Sequence, residues 1–143
     1  MQLNSHLQSQ NSQLVFITDA TGIFDAFEQL KRELSQLTTH FITLIYAVND
    51  KGNYHFPFSQ ELTILEKRFS GRLIVHKLYT DSVTFYINNI IQEFLEAIIN
   101  SNLEPKLEFA IFGTDEFVNQ NGDILAFLNI KSINISSKII QLQ

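Results

Sequence analysis

Two short segments of the chain combine residue types that can hold an anion. The first is Thr18-Asp19-Ala20-Thr21-Gly22-Ile23-Phe24, which follows an apolar run and leads into a helical pattern. A strand, a tight turn containing glycine and a helix N-terminus aim backbone N–H groups at one point, and phosphate is the usual guest there. The same residues also suit a plain strand-to-helix turn in which Gly22 only eases the backbone. The second segment is Phe112-Gly113-Thr114-Asp115-Glu116-Phe117, again between an apolar run and a helical pattern. Thr114 suits an N-cap, and Asp115 and Glu116 favour the positive end of a helix, so a structural role would account for them equally. Neither segment carries the glycine triplet of a dinucleotide fingerprint or a Gly-Lys-Ser/Thr phosphate loop.

Other chemistry is thin. His6, His40, His55 and His76 are scattered without metal-ligand spacing, and there is no cysteine, so no metal is expected. His76, on an apolar run, reads as a buried, hydrogen-bonded histidine. Asp81-Ser82 and His76 lack the Gly-x-Ser-x-Gly elbow of a hydrolase. Tyr46 and Tyr79, at strand ends, either line a pocket or cap the core edge with the hydroxyl in water. Phe109, Phe112, Phe117 and Phe127 read as packing.

The elements that must position these residues alternate. Leu14-Val15-Phe16-Ile17 is a short apolar run, as in a strand buried on both faces. Ile23, Phe27, Leu30, Leu34 and Leu37 then form one stripe of an amphipathic helix. Phe41 to Ala47 is a second strand, followed by a turn cluster from Asn49 to Asn53. A helix over Phe58 to Phe69 ends at Ser70-Gly71. Arg72 to Leu78 is a third strand. Thr80-Asp81-Ser82 can cap a third helix carrying Ile87, Ile91, Leu95 and Ile98. Leu107 to Phe112 is a fourth strand, and a fourth helix runs from Thr114 to about Leu128. Lys131 to Leu142 reads as the last strand, with Ile133, Ile135, Ile139 and Ile140 as its apolar content. Parallel strands need helical crossovers, and their right-handedness puts helices on both faces of an open sheet. Such a sheet binds ligands beyond the carboxyl ends of its strands, where strand order reverses.

Composition narrows the partners. The 143 residues carry a net charge of −5 and are 45% hydrophobic, which suits one well-packed domain and offers no basic stripe for nucleic acid. No run approaches the roughly 18 apolar residues of a membrane span. The first twelve residues are polar and lack the pattern of a signal peptide, so a cytoplasmic location is expected. The expected organisation is a polar segment over 1–12, possible disorder included, and one domain over 13–143.

In order and spacing of these elements, the chain after residue 13 resembles the pyridine-nucleotide-binding domain of ferredoxin reductase-type flavoenzymes. That family follows its first strand with Gly-Thr-Gly-Ile-Thr-Pro or close variants; here the residues are Ala20-Thr21-Gly22-Ile23-Phe24-Asp25. Its second strand ends in Tyr-Gly-x-Arg, matched by Tyr46-Ala47-Val48-Asn49. An aromatic and an acidic residue opening helix two are matched by Phe58-Ser59-Gln60-Glu61-Leu62. Its fourth strand ends in Cys-Gly-Pro-x-x-Met, matched by Phe112 to Phe117. The resemblance implies a three-layer α/β fold with five parallel strands in the order 3-2-1-4-5. It also implies NAD or NADP held by Ala20, Thr21, Gly22, Ile23, Asn49, Gly113, Thr114 and Asp115. The departures are specific: Ala20 replaces a glycine, Asp25 a proline, Asn49 an arginine and Phe112 a cysteine, and no aromatic ends the chain. Twelve preceding residues cannot form the family's flavin barrel, so no flavin is expected on this chain. The expectation is an oxidoreductase-like domain, degenerate or accessory, working with a separate flavin-domain protein or by self-association. The alternative is an interaction or scaffold domain that no longer binds nucleotide.

Overall fold

A computed structural model describes residues 13–36, 41–49, 56–80, 84–101 and 106–141. Strands β1 (Gln13–Thr18), β2 (Phe41–Asn49), β3 (Leu73–Thr80), β4 (Leu107–Gly113) and β5 (Ile135–Ile139) form one sheet. Helices α1 (Ile23–Ser35), α2 (Ser59–Arg68), α3 (Thr84–Ser101) and α4 (Asp115–Phe127) connect them, and a 3₁₀ turn over Ser132–Asn134 precedes β5. All neighbouring strands are parallel, in the order β3-β2-β1-β4-β5. The expected α/β architecture is therefore the observed one.

Alternation along the strands divides the core. Phe16, Leu44 and Tyr46 face α1 and α2, whose Ile23, Phe27, Leu30, Leu34 and Leu62 cover them. Val15, Ile17 and Ile45 face α3 and α4, covered by Ile91, Leu95, Phe117 and Leu125. Both faces of the central strands are thus dry, which is why these strands read as continuous apolar runs. The order reverses at β1: its neighbours are β2 on one side and β4 on the other, with Thr18 opposite both Tyr46 and Phe112. The two connections leave that end of the sheet in opposite directions, and this is where the two candidate turns meet.

Several expectations change in the peripheral elements. The last strand is shorter than Lys131 to Leu142, because β5 pairs with β4 only from Ile135 to Ile139. Ile133 belongs to the 3₁₀ turn and is 87% exposed. Phe127 is 73% exposed rather than packed. It lies two residues beyond buried Leu125, about 200° around the helix from it. His76 is half-buried, not buried, with its ring 4.8 Å from that of Phe94. Helix α2 begins one residue later than expected because Phe58 adopts a left-handed conformation, φ 66°. Its ring packs 5.2 Å from Phe27 and 6.0 Å from Phe24. The N-terminal segment, the turn after Asn49 and the cap residues Asp81 and Ser82 lie outside the described residues. Among the described residues no helix is long and apolar enough to cross a membrane, and no group of three or more potential ligands could hold a metal ion.

Candidate functional site

The turn after β1 passes so close to β4 that any side chain at Gly22 would collide with the β4 backbone. A Cβ there would stand 2.4 Å from the carbonyl carbon of Phe112 and 2.6 Å from the nitrogen of Gly113. Both are backbone atoms and cannot move aside. Gly22 therefore does more than ease a turn: it lets the start of α1 press against the end of β4. Gly113 is constrained from the other side. A Cβ on it would lie 2.6 Å from Oδ1 of Asp19.

Asp19 is the residue that the two turns enclose. Its Oδ1 accepts from the backbone N–H of Gly22 at 2.8 Å, at the start of α1. Its Oδ2 accepts from the backbone N–H of Thr114 at 3.1 Å and from the Thr114 hydroxyl at 3.3 Å, at the start of α4. The Thr114 hydroxyl in turn accepts from the N–H of Phe117 at 3.2 Å, a conventional N-cap. One carboxylate thus bridges two helix N-termini, its bond to Thr114 reaching across 95 residues of sequence. Each terminus carries about half a positive charge, so both attract an anion. Burial nevertheless dominates and raises the carboxyl above its ordinary value, the hydrogen bonds from Thr114, Gly22 and Thr21 opposing it in part.

Tyr46 stands beside this carboxylate. Its ring is fully buried, and its hydroxyl donates to the carbonyl of Pro57 at 3.0 Å. It neither lines an open pocket nor points into water, as the sequence had suggested for it. Burial, and then the charge of Asp19, push the phenol well above its ordinary value, so the hydroxyl remains a donor.

The remaining sequence candidates divide. Thr21, Gly22, Gly113 and Thr114 lie together at the carboxyl ends of β1 and β4, with exposed Ala20 on the same turn. Ile23 is buried in the core under α1, leaving only its backbone toward the turn. Asp115 is exposed, and its Oδ1 accepts from the Asn119 side chain 2.8 Å away, within its own helix. Asn49 pairs opposite Thr80 in the sheet, and its side chain lies outside the described residues. Asp25 does not stand as an uncompensated charge: Lys138 reaches across from β5 to within 2.8 Å of it. Those two residues, with Arg32 and Phe112, line an open hollow of about 230 Å³, smaller than the roughly 300–1,000 Å³ of most ligand pockets. Sequence reasoning missed the role of Asp19. The available signal was an aspartate three residues before a glycine that opens a helix, the spacing of a side-chain cap for that turn.

The fold has counterparts among known structures. The fold is that of a ferredoxin reductase-type nucleotide-binding domain. Ferredoxin-NADP+ reductase from Plasmodium falciparum superposes with a TM-score of 0.74 at 20% identity, over 94% of this chain and 54% of that one. The CS-b5R domains of human Ncb5or, in an NAD+ form, give 0.68 at 17% identity, over 90% of this chain and 37% of theirs. The cytochrome b5 reductase domain of nitrate reductase from Ulva prolifera gives 0.63 at 15% identity, over 89% and 50%. The chain therefore spans about half the length of the reductases it resembles, or less. No protein-family model and no curated protein matches the sequence. The ferredoxin reductase-like fold explains why both turns converge: they flank its strand-order reversal. The arrangement can hold an anion by backbone N–H groups, and here the anion is a side chain of the chain itself.

Proposed function

We propose that this chain is an accessory or degenerate oxidoreductase component: a nucleotide-domain fold that binds NAD or NADP weakly or not at all and acts through contact with another protein chain. The observation that carries this reading is the Asp19 carboxylate, which takes the N–H groups at both helix starts. A dinucleotide phosphate arriving there would have to displace it and would meet its charge. The second support is compositional. The family's arginine position is Asn49 and its cysteine position is Phe112, so neither a guanidinium nor a thiol stands there. The one buried carboxylate at the site, Asp19, is occupied by backbone N–H groups, and hydride transfer to or from a nicotinamide would need a flavin in addition to this domain.

Titration with NADH and with NADPH, followed by calorimetry and by melting temperature, tests the proposal. Little or no heat and no melting shift at millimolar nucleotide is the expected result. A ligand at one hundred times its dissociation constant stabilises the native state by about 2.7 kcal/mol, which a melting curve detects readily. A shift of that size for the natural chain would replace this reading with that of a working nucleotide-binding subunit.

A further inference from the structure

The two edges of the sheet are finished differently. At the β3 edge the outward N–H of Val75 is taken by the Glu66 carboxylate at 2.8 Å, and Lys77 is held against Ser59 at 2.6 Å. A carboxylate on an edge donor, with a charged side chain beside it, discourages another strand from pairing there. At the β5 edge no described residue plays that part. The N–H of Ile140 bonds inward to the carbonyl of Gly113 at 2.7 Å, so by alternation Ile135, Ser137 and Ile139 turn their backbone groups outward. The N–H of Ile135 is used by Ser132 in the preceding turn. That leaves the carbonyl of Ile135 and both groups of Ser137 and of Ile139 aimed away from the sheet.

We propose that this edge pairs with the β5 edge of a second copy of the chain, antiparallel about a two-fold axis at Ser137, to give a continuous ten-stranded sheet. The strand reads Ile-Ser-Ser-Lys-Ile, so pairing about Ser137 places Ile135 opposite Ile139 of the other copy and Lys138 opposite Ser136. Apolar residues meet apolar residues and no like charges face each other. The outward groups match in the same register: Ser137 exchanges two bonds with its counterpart, and each Ile139 N–H meets an Ile135 carbonyl, about four bonds in all. Exposure agrees with this occupant. Phe127, Ile133 and Ile139 are 73%, 87% and 40% exposed, and all lie within the α4-to-β5 stretch. In an antiparallel pair, Ile133 before one strand stands near Ile139 at the end of the other. A five-residue edge is small beside the roughly 1,600 Å² of a standard interface, so the dimer is a concentration-dependent one. The proposal supplies a partner for the protein contact in the functional reading above and does not depend on whether nucleotide binds.

Sedimentation of the full chain without nucleotide, from roughly 1 µM to roughly 500 µM, tests it. A monomer–dimer equilibrium is expected. Ser137→Pro removes an outward donor without touching the bonds to β4, an edge position where proline is tolerated. It should weaken the dimer at least tenfold, as should Ile139→Lys, which keeps the backbone and serves if the proline variant misfolds. Ile74→Lys, at an exposed position on the opposite edge strand, should leave it unchanged. A monomer at every concentration, or a dimer indifferent to both β5 variants, overturns the proposal. Neither result bears on nucleotide titration, so the two readings fail separately.

Discussion

Replacing Asp19 by asparagine separates the two properties of its carboxylate, hydrogen bonding and charge. The amide keeps an oxygen for the N–H of Gly22 or of Thr114 and turns its N–H₂ toward the other, so one backbone donor loses its acceptor. It also loses the charge whose burial raises the carboxyl above its ordinary value of 3.8. A raised acid is one that the folded state prefers protonated, so its favourable contribution is complete below about pH 3.8 and is lost as pH rises through the higher folded value. Measured against the natural chain, Asp19→Asn should therefore gain in stability between pH 4 and pH 7, whatever the fixed cost of the lost acceptor. Asp19→Ala carries a larger fixed cost. It strands the two backbone N–H groups at Gly22 and Thr114, each costing about 1–3 kcal/mol if unsatisfied. Water can reach this partly exposed position, which favours the lower end and a total of about 2 kcal/mol. For a chain of this length that lowers the melting temperature by roughly 6–8 °C. The asparagine variant should also bind nucleotide better. Two unit charges 4 Å apart repel by about 4 kcal/mol at an effective dielectric of 20, and a third of that is a tenfold change in dissociation constant. Urea unfolding at the two pH values, with NADH and NADPH calorimetry on both variants, provides the assay. If the asparagine variant gains nothing on the natural chain from the lower pH to the higher, burial does not disfavour the ionised carboxylate and the reasoning is wrong. If nucleotide affinity does not rise, Asp19 does not guard the site.

Four further outcomes follow from individual contacts. Gly22→Ala forces a methyl against the Phe112 carbonyl carbon and should cost about 3 kcal/mol or more, read from the denaturation midpoint. Tyr46→Phe removes the donor to the Pro57 carbonyl and should cost about 1–2 kcal/mol without altering the pH dependence assigned to Asp19. Lys138→Ala breaks a bridge whose lysine is 62% exposed, so thermal unfolding should show a loss under about 1 kcal/mol that shrinks further in high salt. Asp25→Asn should improve nucleotide affinity less than Asp19→Asn in the same calorimetry, because Lys138 already offsets the Asp25 charge.

The central part of the fold is legible in the sequence because it is buried on both faces. Val15, Phe16, Ile17, Leu44 and Ile45 leave almost no surface to water, so their apolar runs have one economical interpretation, and the α1 stripe of Ile23, Phe27, Leu30 and Leu34 is equally direct. The edges are less legible. Ile133 looks like strand content because isoleucine favours strands, yet the chain turns in a 3₁₀ turn over Ser132–Asn134 and joins β4 only from Ile135, opposite Phe109. Phe127 looks like core because it is large, although its angular position on α4 puts it outside. The site was half legible. Gly22, Gly113 and Thr114 are marked by type and position at the carboxyl ends of strands. What sits between them was not, since contacts between residues 95 apart leave no local pattern. An aspartate in a turn is too common to single out until both helix starts are seen to share it.

That sharing sets what a nucleotide would face. A tethered carboxylate needs no association step, so it competes with an external phosphate at no entropic cost of bringing two molecules together. Only the fraction of molecules with Asp19 swung out could accept a phosphate at these N–H groups, and apparent affinity falls in proportion to that fraction. If the open state were about 1% populated, binding would weaken a hundredfold, or about 2.7 kcal/mol, before any contact with the nucleotide is counted. Gly113 fixes the closed state sterically, since its missing Cβ is the space that the carboxylate occupies. Gly22 fixes it from the other side by bringing the start of α1 within reach. The glycines that let a backbone approach a phosphate in a nucleotide-binding turn here let it approach a carboxylate. One side chain therefore ties both turns together, and its carboxylate accepts from the N–H groups of two helix starts.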